Sequence, residues 1–292
     1  MSGPSSKLTE YMLNNYARAV SLELGEWLAH NPPPSICEEK LDGFRVFAFK
    51  SGSNILLATR HGRIYSESTH PLLFKTIKPL LEMQSPSRAV LDGEYIAPDR
   101  MSIFDVLRID DREVTGLPLL ERKSILSQVL TGESEPFLVK YFLAKSTEEI
   151  QAQMKRVVER GGEGLVVKNP SSTYGQRNSW LKLKRFDTID CFVTGYDTTK
   201  EMERTGIPHS WFIGLCEPGG SILEIGKVGT YLKEIDPLRI KLGTVVEVQY
   251  QQVTSDRKLR QPFIIRIRED KTKEECSSSQ LGGAAKKNYD AI

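Results

Sequence analysis

The pattern of apolar and polar residues changes character near residue 188. Beyond that point DCFVTGYD, SWFIGLCE, ILEIGKVG, TVVEVQYQQV and PFIIRIRE follow one another with almost no helical spacing between them. Five short strands within about 80 residues predict a small closed β-barrel. Ahead of residue 188, strand-like and helix-like segments are mixed, which predicts an α+β domain with long-range strand pairing. The expected division is therefore 1–187, 188–275 and a tail, 276–292. That tail is low in apolar residues and is expected to be mobile.

Within the first domain, Met12, Leu13, Tyr16, Val20, Leu24, Trp27 and Leu28 recur at helical spacing. They predict a helix over 9–30, ended by the three prolines of NPPPS. FRVFAFK (44–50) and NILLATR (54–60) read as a hairpin turning at SGS. HPLLFKTIKPLLEM (70–83) reads as one helix with Pro71 in its first turn. Strands are expected at 89–97 and 101–107, and a helix at 119–130. Over 146–162, Ser146 and Glu149 match a capping box, and Gly161-Gly162 sit where a helix stops. GLVVKN (164–169) and SWLKLKRF (179–186) read as strands around a Gly/Ser-rich loop. No internal repeat is found.

Composition sets limits. A net charge of +2 is too small to argue for nucleic-acid binding, so such a reading must rest on where charges cluster. Cys37, Cys191, Cys216 and Cys276 share no C-x2-C spacing, which speaks against a zinc site and fits a reducing compartment. No apolar run approaches the roughly 20 residues of a membrane span. MSGPSSKLTE lacks the apolar core of a signal peptide. A soluble intracellular protein is expected.

The segment EEKLDGFR (38–45) places Lys40 before an Asp-Gly turn at the mouth of a strand. Alone, this reads as a solvated hairpin. More charged pairs fall at strand ends in the same domain: LDGEY (91–95), IFDVL (103–107), GGEGLVVK (161–168) and WLKLK (180–184). Taken in order, K-x-D-G-x-R (Lys40 to Arg45), Arg60-His61-Gly62, D-G-E (Asp92 to Glu94), Phe104-Asp105, E-G-L-V-V-K (Glu163 to Lys168), K-L-K (Lys182 to Lys184) and R-x-R-x-D-K (Arg266 to Lys271) resemble the ATP-dependent DNA ligases. These belong to the covalent nucleotidyltransferase superfamily. The resemblance covers about residues 35–272.

The resemblance implies an adenylation domain, ATP-grasp-like, followed by an OB-fold. It implies that the Lys40 amine attacks the α-phosphorus of ATP, giving lysyl-AMP. The adenylate then passes to a 5′-phosphate, and a 3′-hydroxyl displaces it to close a nick. An amine attacks only when uncharged, and a free lysine titrates near 10.4, so the site must favour the neutral form. Arg45, Lys182, Lys184 and a bound metal would do so by like-charge repulsion.

Further roles carry over by position. Glu38 would accept the adenine amino hydrogens, which guanine lacks. Glu94 would contact the ribose and the metal, and Phe104 would stack on the base. Glu163 would hold Mg²⁺, with Mn²⁺ expected to substitute. Lys182 and Lys184, which alternate with Trp180, Leu181 and Leu183, would point one face at the α-phosphate. Lys168 is a further phosphate candidate. Asp42 serves either the metal and nick or only its turn. Arg60 is either a 5′-phosphate contact or an ordinary exposed arginine.

In the second domain, Arg266, Arg268, Asp270 and Lys271 would orient the pyrophosphate, with a hinge at 185–190. RKLR (257–260) and TTKEMERTG (198–206) would add basic contacts to duplex DNA, and binding would weaken with salt. Only 39 residues precede Lys40, so the resemblance is to a minimal enzyme. It is expected to be a monomer, cytoplasmic or nucleoid-associated, with a partner protein making up for an absent DNA-binding domain. An RNA ligase shares this chemistry. A GTP-using capping enzyme is disfavoured by Glu38 and by E-G at 163.

Overall fold

The computed structural model describes residues 16–198, 200–229 and 235–283. The chain divides into two compact units, Met1–Lys184 and Arg185–Ala291.

The strands of the first unit are β1 (Ala19–Val20), β2 (Ser35–Glu39), β3 (Phe44–Ser51), β4 (Asn54–Thr59), β5 (Ile64–Tyr65) and β6 (Arg88–Ile96). They continue with β7 (Arg100–Ile109), β8 (Arg112–Glu113), β9 (Tyr141–Ala144), β10 (Gly164–Lys168) and β11 (Trp180–Lys184). Its helices are α1 (Leu24–His30), α2 (Pro71–Thr76), α3 (Lys78–Glu82), α4 (Leu119–Val129) and α5 (Thr147–Glu159). One sheet runs β1-β11-β10-β2-β9, and the other β5-β4-β3-β6-β7-β8.

Each sheet is two-sided because side chains alternate along a strand. Cys37, Leu165, Val167, Leu181 and Leu183 of the first sheet pack with Leu24 and Trp27 of α1 and with Ile150, Met154, Val157 and Val158 of α5. The four α5 side chains recur at helical spacing, and burying each contributes roughly 2 kcal/mol. In the second sheet, Val46, Ala48, Leu57 and Leu91 pack with Leu73, Ile77, Leu80 and Leu126 of its helical cover. Its other face carries Phe47, Phe49, Val90 and Leu107, packed with Tyr16 and Tyr174.

Several expectations need correction. The helix expected over 9–30 is confined, among the described residues, to Leu24–His30, and residues 9–15 lie outside them. Ala19 and Val20 instead pair in parallel with Trp180 and Leu181. Backbone pairing to a sheet edge overrides the helical spacing there. The single helix expected over 70–83 breaks at Ile77. Pro79 supplies no N–H, and its ring would meet the carbonyl four residues back. The Ser146 side chain caps α5 by accepting from the Glu149 N–H (3.3 Å), but the Glu149 carboxylate accepts from Lys145 N (2.7 Å), so the box closes one residue earlier.

The second unit holds β12 (Asp187–Tyr196), β13 (Ser210–Cys216), β14 (Ile222–Gly229), β15 (Val245–Tyr250), β16 (Gln252–Val253), β17 (Leu259–Arg260) and β18 (Phe263–Ile267). The short helices α6 (Lys200–Thr205) and α7 (Gln280–Gly283) complete it. Five strands form one antiparallel sheet in the order β14-β13-β12-β15-β18. Its apolar face closes over Trp211, Ile213, Val246, Val248 and Tyr250. Three register shifts, at Val193/Gly195, Ile213/Gly214 and Glu247/Val248, add twist. The expected closed barrel is not reached: among the described residues no backbone ladder joins β14 to β18.

The tail beginning at residue 276 is not loose where it is described. Cys276 is buried, and its carbonyl accepts from Cys216 N (2.7 Å). Ser278 N donates to Cys216 O (2.9 Å), and the Gln280 side-chain amide donates to Asp190 O (3.0 Å). Low apolar content misleads here because one buried cysteine and backbone bonds do the anchoring. Residues 284–292 lie outside the described set. No described helix is long and apolar enough to cross a membrane.

Candidate active site

Register places most of the charged residues of the first sheet on one face, with Glu39, opposite Leu165, on the other. Val166 lies opposite both Glu38 and Lys182, Gly164 opposite Lys184, and Lys168 opposite Trp180. Alternation therefore puts Glu38, Lys168, Trp180, Lys182 and Lys184 together, with Leu181 and Leu183 turned into the core. Trp180 thus shares the lysines' face and is no member of the apolar side.

Lys40 follows β2 directly, and its N–H donates to Gly164 O at 2.8 Å. Its ammonium meets Glu163 Oε2 at 2.7 Å, with both side chains about one-fifth exposed (20% and 18%). Gly164 makes this approach possible. Its φ is +142°, and a Cβ there would lie 2.0 Å from Leu183 O. Gly164→Ala is expected to cost on the order of 3 kcal/mol and to displace Glu163 from Lys40. Urea unfolding reads the first effect.

The second sheet adds Arg45 and Glu94, which are register partners on β3 and β6. Arg45 is gripped by buried Asp92, from Nε to Oδ1 at 3.0 Å and from Nη2 to Oδ2 at 2.5 Å. It also donates to Ala17 O, and the Tyr174 hydroxyl donates to Asp92 at 2.8 Å. Burial opposes the Arg45 cation, but Asp92 outweighs it and holds its pKa above the ordinary value. Asp92 thus balances the Arg45 charge, which weakens the like-charge repulsion expected from it. Arg45 instead lies over the rings of Tyr16 (5.0 Å) and Phe104 (5.3 Å).

Burial pushes the Glu94 carboxyl from 4.5 up to about 7, Asp92 and Glu163 adding to the rise while Arg45 and Lys40 oppose it. The folded protein thus holds this proton more tightly than the unfolded chain between those values. The stabilising contribution of the neutral form is full below the unfolded value and is lost as pH rises through 7. Glu94→Gln is expected to melt higher than wild type at about pH 8, with the gap closing by about pH 5, in nucleotide-free buffer.

Glu38 lies at the floor of this face, 3% exposed. One oxygen accepts from Lys123, and the other meets Lys168 Nζ at 2.5 Å. The Lys168 ammonium rests over Trp180 (3.7 Å) and Phe104 (4.6 Å). Burial lowers its pKa to about 8, against the pull of Glu38. Phe104 and Trp180 meet edge to face at 6.0 Å. Two carboxylates near Lys40, Glu163 and Glu94, are the hard oxygen donors that suit Mg²⁺. Glu163 and Glu94 act on one another electrostatically, and a pair of carboxylates in one place fits such an ion.

Asp42 is exposed, just before β3. Arg60 is exposed between β4 and β5, where its Nε meets His61 Nε2 at 3.0 Å, and it contacts none of the other site residues among those described. Lys123, Tyr174 and Asp92 have no role in the sequence reading. Asp92 stands inside the D-G-E motif, which was the available signal. Lys123 and Tyr174 sit in a helix and a polar loop, at positions that belong to none of the seven motifs.

In the second unit, Arg268 binds Asp270 through two bonds (2.8 and 2.7 Å) and Asp190 through a third (2.9 Å). The Arg268 guanidinium holds the Asp270 carboxyl well below the usual carboxylate range. Arg266 meets Glu247 at 2.5 Å, and Lys271 meets Asp190. Within RKLR, Arg257 pairs with Glu217 (2.8 Å) and Lys258 with Glu224 (3.2 Å).

A DNA ligase of Thermococcus onnurineus (strain NA1) is 25% identical over 300 residues, covering 82% of this chain and 52% of that protein. DNA ligase C of Mycobacterium tuberculosis (strain ATCC 25618 / H37Rv) is 25% identical over 261 residues, covering 75% and 71%. The chain spans about half the length of the first curated relatives it matches. Among solved structures, a Lig E DNA ligase superposes with a TM-score of 0.61 at 20% identity, covering 86% of this chain and 99% of that one. A structure described as Pmar-Lig superposes at 0.67 and 18%, covering 90% and 70%. These likenesses establish the fold. The family model described as ATP dependent DNA ligase domain matches residues 12–103 and 97–184, more than half of the chain and every first-unit residue of the site, and the chain belongs to that family.

Proposed function

We propose that this chain is an ATP-dependent polynucleotide ligase that seals nicks in duplex DNA. The observation that carries the reading is the Lys40–Glu163 contact at 2.7 Å, at the end of a sheet face that also bears Lys182 and Lys184. The Lys40 lone pair attacks the α-phosphorus of ATP. A P–N bond forms, the P–O bond to the β-phosphate breaks, pyrophosphate leaves, and the ammonium proton passes to solvent. A 5′-phosphate oxygen of DNA then takes the adenylate, and Lys40 regains a proton as the P–N bond breaks. Attack by the neighbouring 3′-hydroxyl expels AMP.

Lys182 and Lys184 supply positive charge where the phosphoryl oxygens gain negative charge. Glu94 binds the ribose, Phe104 stacks on the base, and Glu38 accepts from the adenine amino group. Glu163 and Glu94 are the residues that would hold Mg²⁺, which supplies charge neutralisation to the phosphates. Arg60 and Asp42 face the nick in this reading. The relatives' names support DNA over RNA as the polymer. A monomer acting in the cytoplasm or at the nucleoid, assisted by a partner protein, completes the proposal.

The test is sealing of a nicked duplex with ribose placed on either side of the break, in ATP and Mg²⁺. Sealing of the all-DNA substrate is expected. Adenylation of the protein without sealing of any DNA end would overturn the DNA assignment. Arg266 and Arg268, which the resemblance assigns to the pyrophosphate, have a separate check. Arg268→Ala should slow adduct formation more than sealing of a pre-adenylylated nick, and equal losses would remove that role.

A further inference from the structure

Lys123 lies on α4, 85 residues from Glu38 in sequence, yet its ammonium donates both to a Glu38 oxygen and to the Phe104 backbone carbonyl. Its side chain is 1% exposed and that of Glu38 4%. So complete a burial of charge is tolerated only with partners. The two acceptors belong to the residues proposed to read and to stack the base. One ammonium therefore ties the reading carboxylate to the strand that carries the stacking ring.

Lys168 holds the second Glu38 oxygen. With both oxygens engaged, the carboxylate is fixed in rotation and kept as an acceptor. A carboxylate oxygen carries two lone pairs, so an oxygen that accepts from a lysine still has one for an amino hydrogen. Adenine presents an amino donor at that edge. Guanine presents a carbonyl oxygen, which would meet the carboxylate acceptor to acceptor. A rotated Glu38 would aim its lone pairs away from that edge and lose this discrimination.

We infer that Lys123 is a positioning residue for base selection: it holds Glu38 oriented, in register with Phe104, so that the site takes adenine nucleotides over guanine nucleotides. The inference rests on the nucleotide reading of this site proposed above.

The experiment titrates ATP and GTP separately into metal-free protein with EDTA, reading intrinsic tryptophan fluorescence, Trp180 being beside Phe104. Wild type is expected to prefer ATP. Lys123→Met should reduce the ATP-to-GTP affinity ratio by about tenfold or more, chiefly through weaker ATP binding. Lys123→Arg, which keeps a cationic donor, should retain most of the preference. If the Met variant fails to fold, Lys123→Gln provides the same comparison. Equal weakening of both nucleotides, or a ratio within about twofold of wild type, would mean that Lys123 only supports the fold, and the inference fails. No preference in wild type also overturns it. Binding needs no chemistry, so wild type that prefers ATP yet forms no adduct with Mg²⁺ would sink the ligase reading and leave this one standing.

Discussion

Lys40→Ala will fold as wild type does and will take up no adenylate. The structural part follows from position. Lys40 is only half-buried, and its N–H bond to Gly164 O is a backbone bond that alanine keeps. Glu163 loses its partner but stays near solvent, so its carboxylate remains hydrated. The chemical part follows from the lack of a substitute. Lys182 and Lys184 sit on β11, across β10 from the end of β2 where Lys40 stands, and neither can take its place without moving the strand. Removing a nucleophile outright lowers the rate by at least about 10⁴-fold. Intact-mass measurement after incubation with ATP and Mg²⁺ reads the result directly. An adduct of unchanged yield in the variant would assign the adenylate to another residue and overturn the reading.

Arg122→Ala will bring the largest loss of stability. Arg122 and Asp105 are both fully buried, joined from Nε to Oδ1 and from Nη2 to Oδ2, each at 2.9 Å. Arg122 Nη1 also donates to Leu117 O (2.6 Å) and Ser172 O (3.1 Å). One guanidinium thus joins β7, the approach to α4 and the polar loop before β11. Cutting it out strips a buried carboxylate of its paired cation, which costs about 3–5 kcal/mol, and leaves two carbonyls without that donor. The total is a large part of the roughly 5–15 kcal/mol that holds an ordinary domain together. Chemical denaturation should show a large fall in midpoint. Asp105→Leu combined with Arg122→Met should recover part of it, because the stranded charge is gone. A single variant within about 1 kcal/mol of wild type would mean that water reaches Asp105 and screens it.

The elements easiest to foresee are those whose signals are local. The β3–β4 hairpin is legible because alternating residues flank SGS, and Gly52 takes the positive φ (+58°) that the turn needs. α5 is legible from spacing and its serine cap. Motif residues such as Lys40, Glu163, Lys182 and Lys184 are legible because their order is a pattern in one dimension. The partners that hold them are not. α4 buries Arg122 and Lys123, two charges that any helical pattern would assign to solvent. Their burial is explained by Asp105 and Glu38, distant in sequence and brought near only by the fold. The network around Arg45 is hidden in the same way: its sequence says cation, while Asp92 and Tyr174 are brought to it only by the fold. The anchoring of residues 276–278 is not legible because backbone bonds to Cys216 leave no compositional trace.

The two-sidedness of β10 and β11 carries a consequence for how this protein tolerates change. Adding or deleting one codon inside either strand would turn the tape over, sending lysines toward α5 and leucines toward the nucleotide. Substitutions on one side leave the other side's neighbours in place, so chemistry and cohesion can drift separately under mutation. A length change cannot be confined in that way, and both should be lost together.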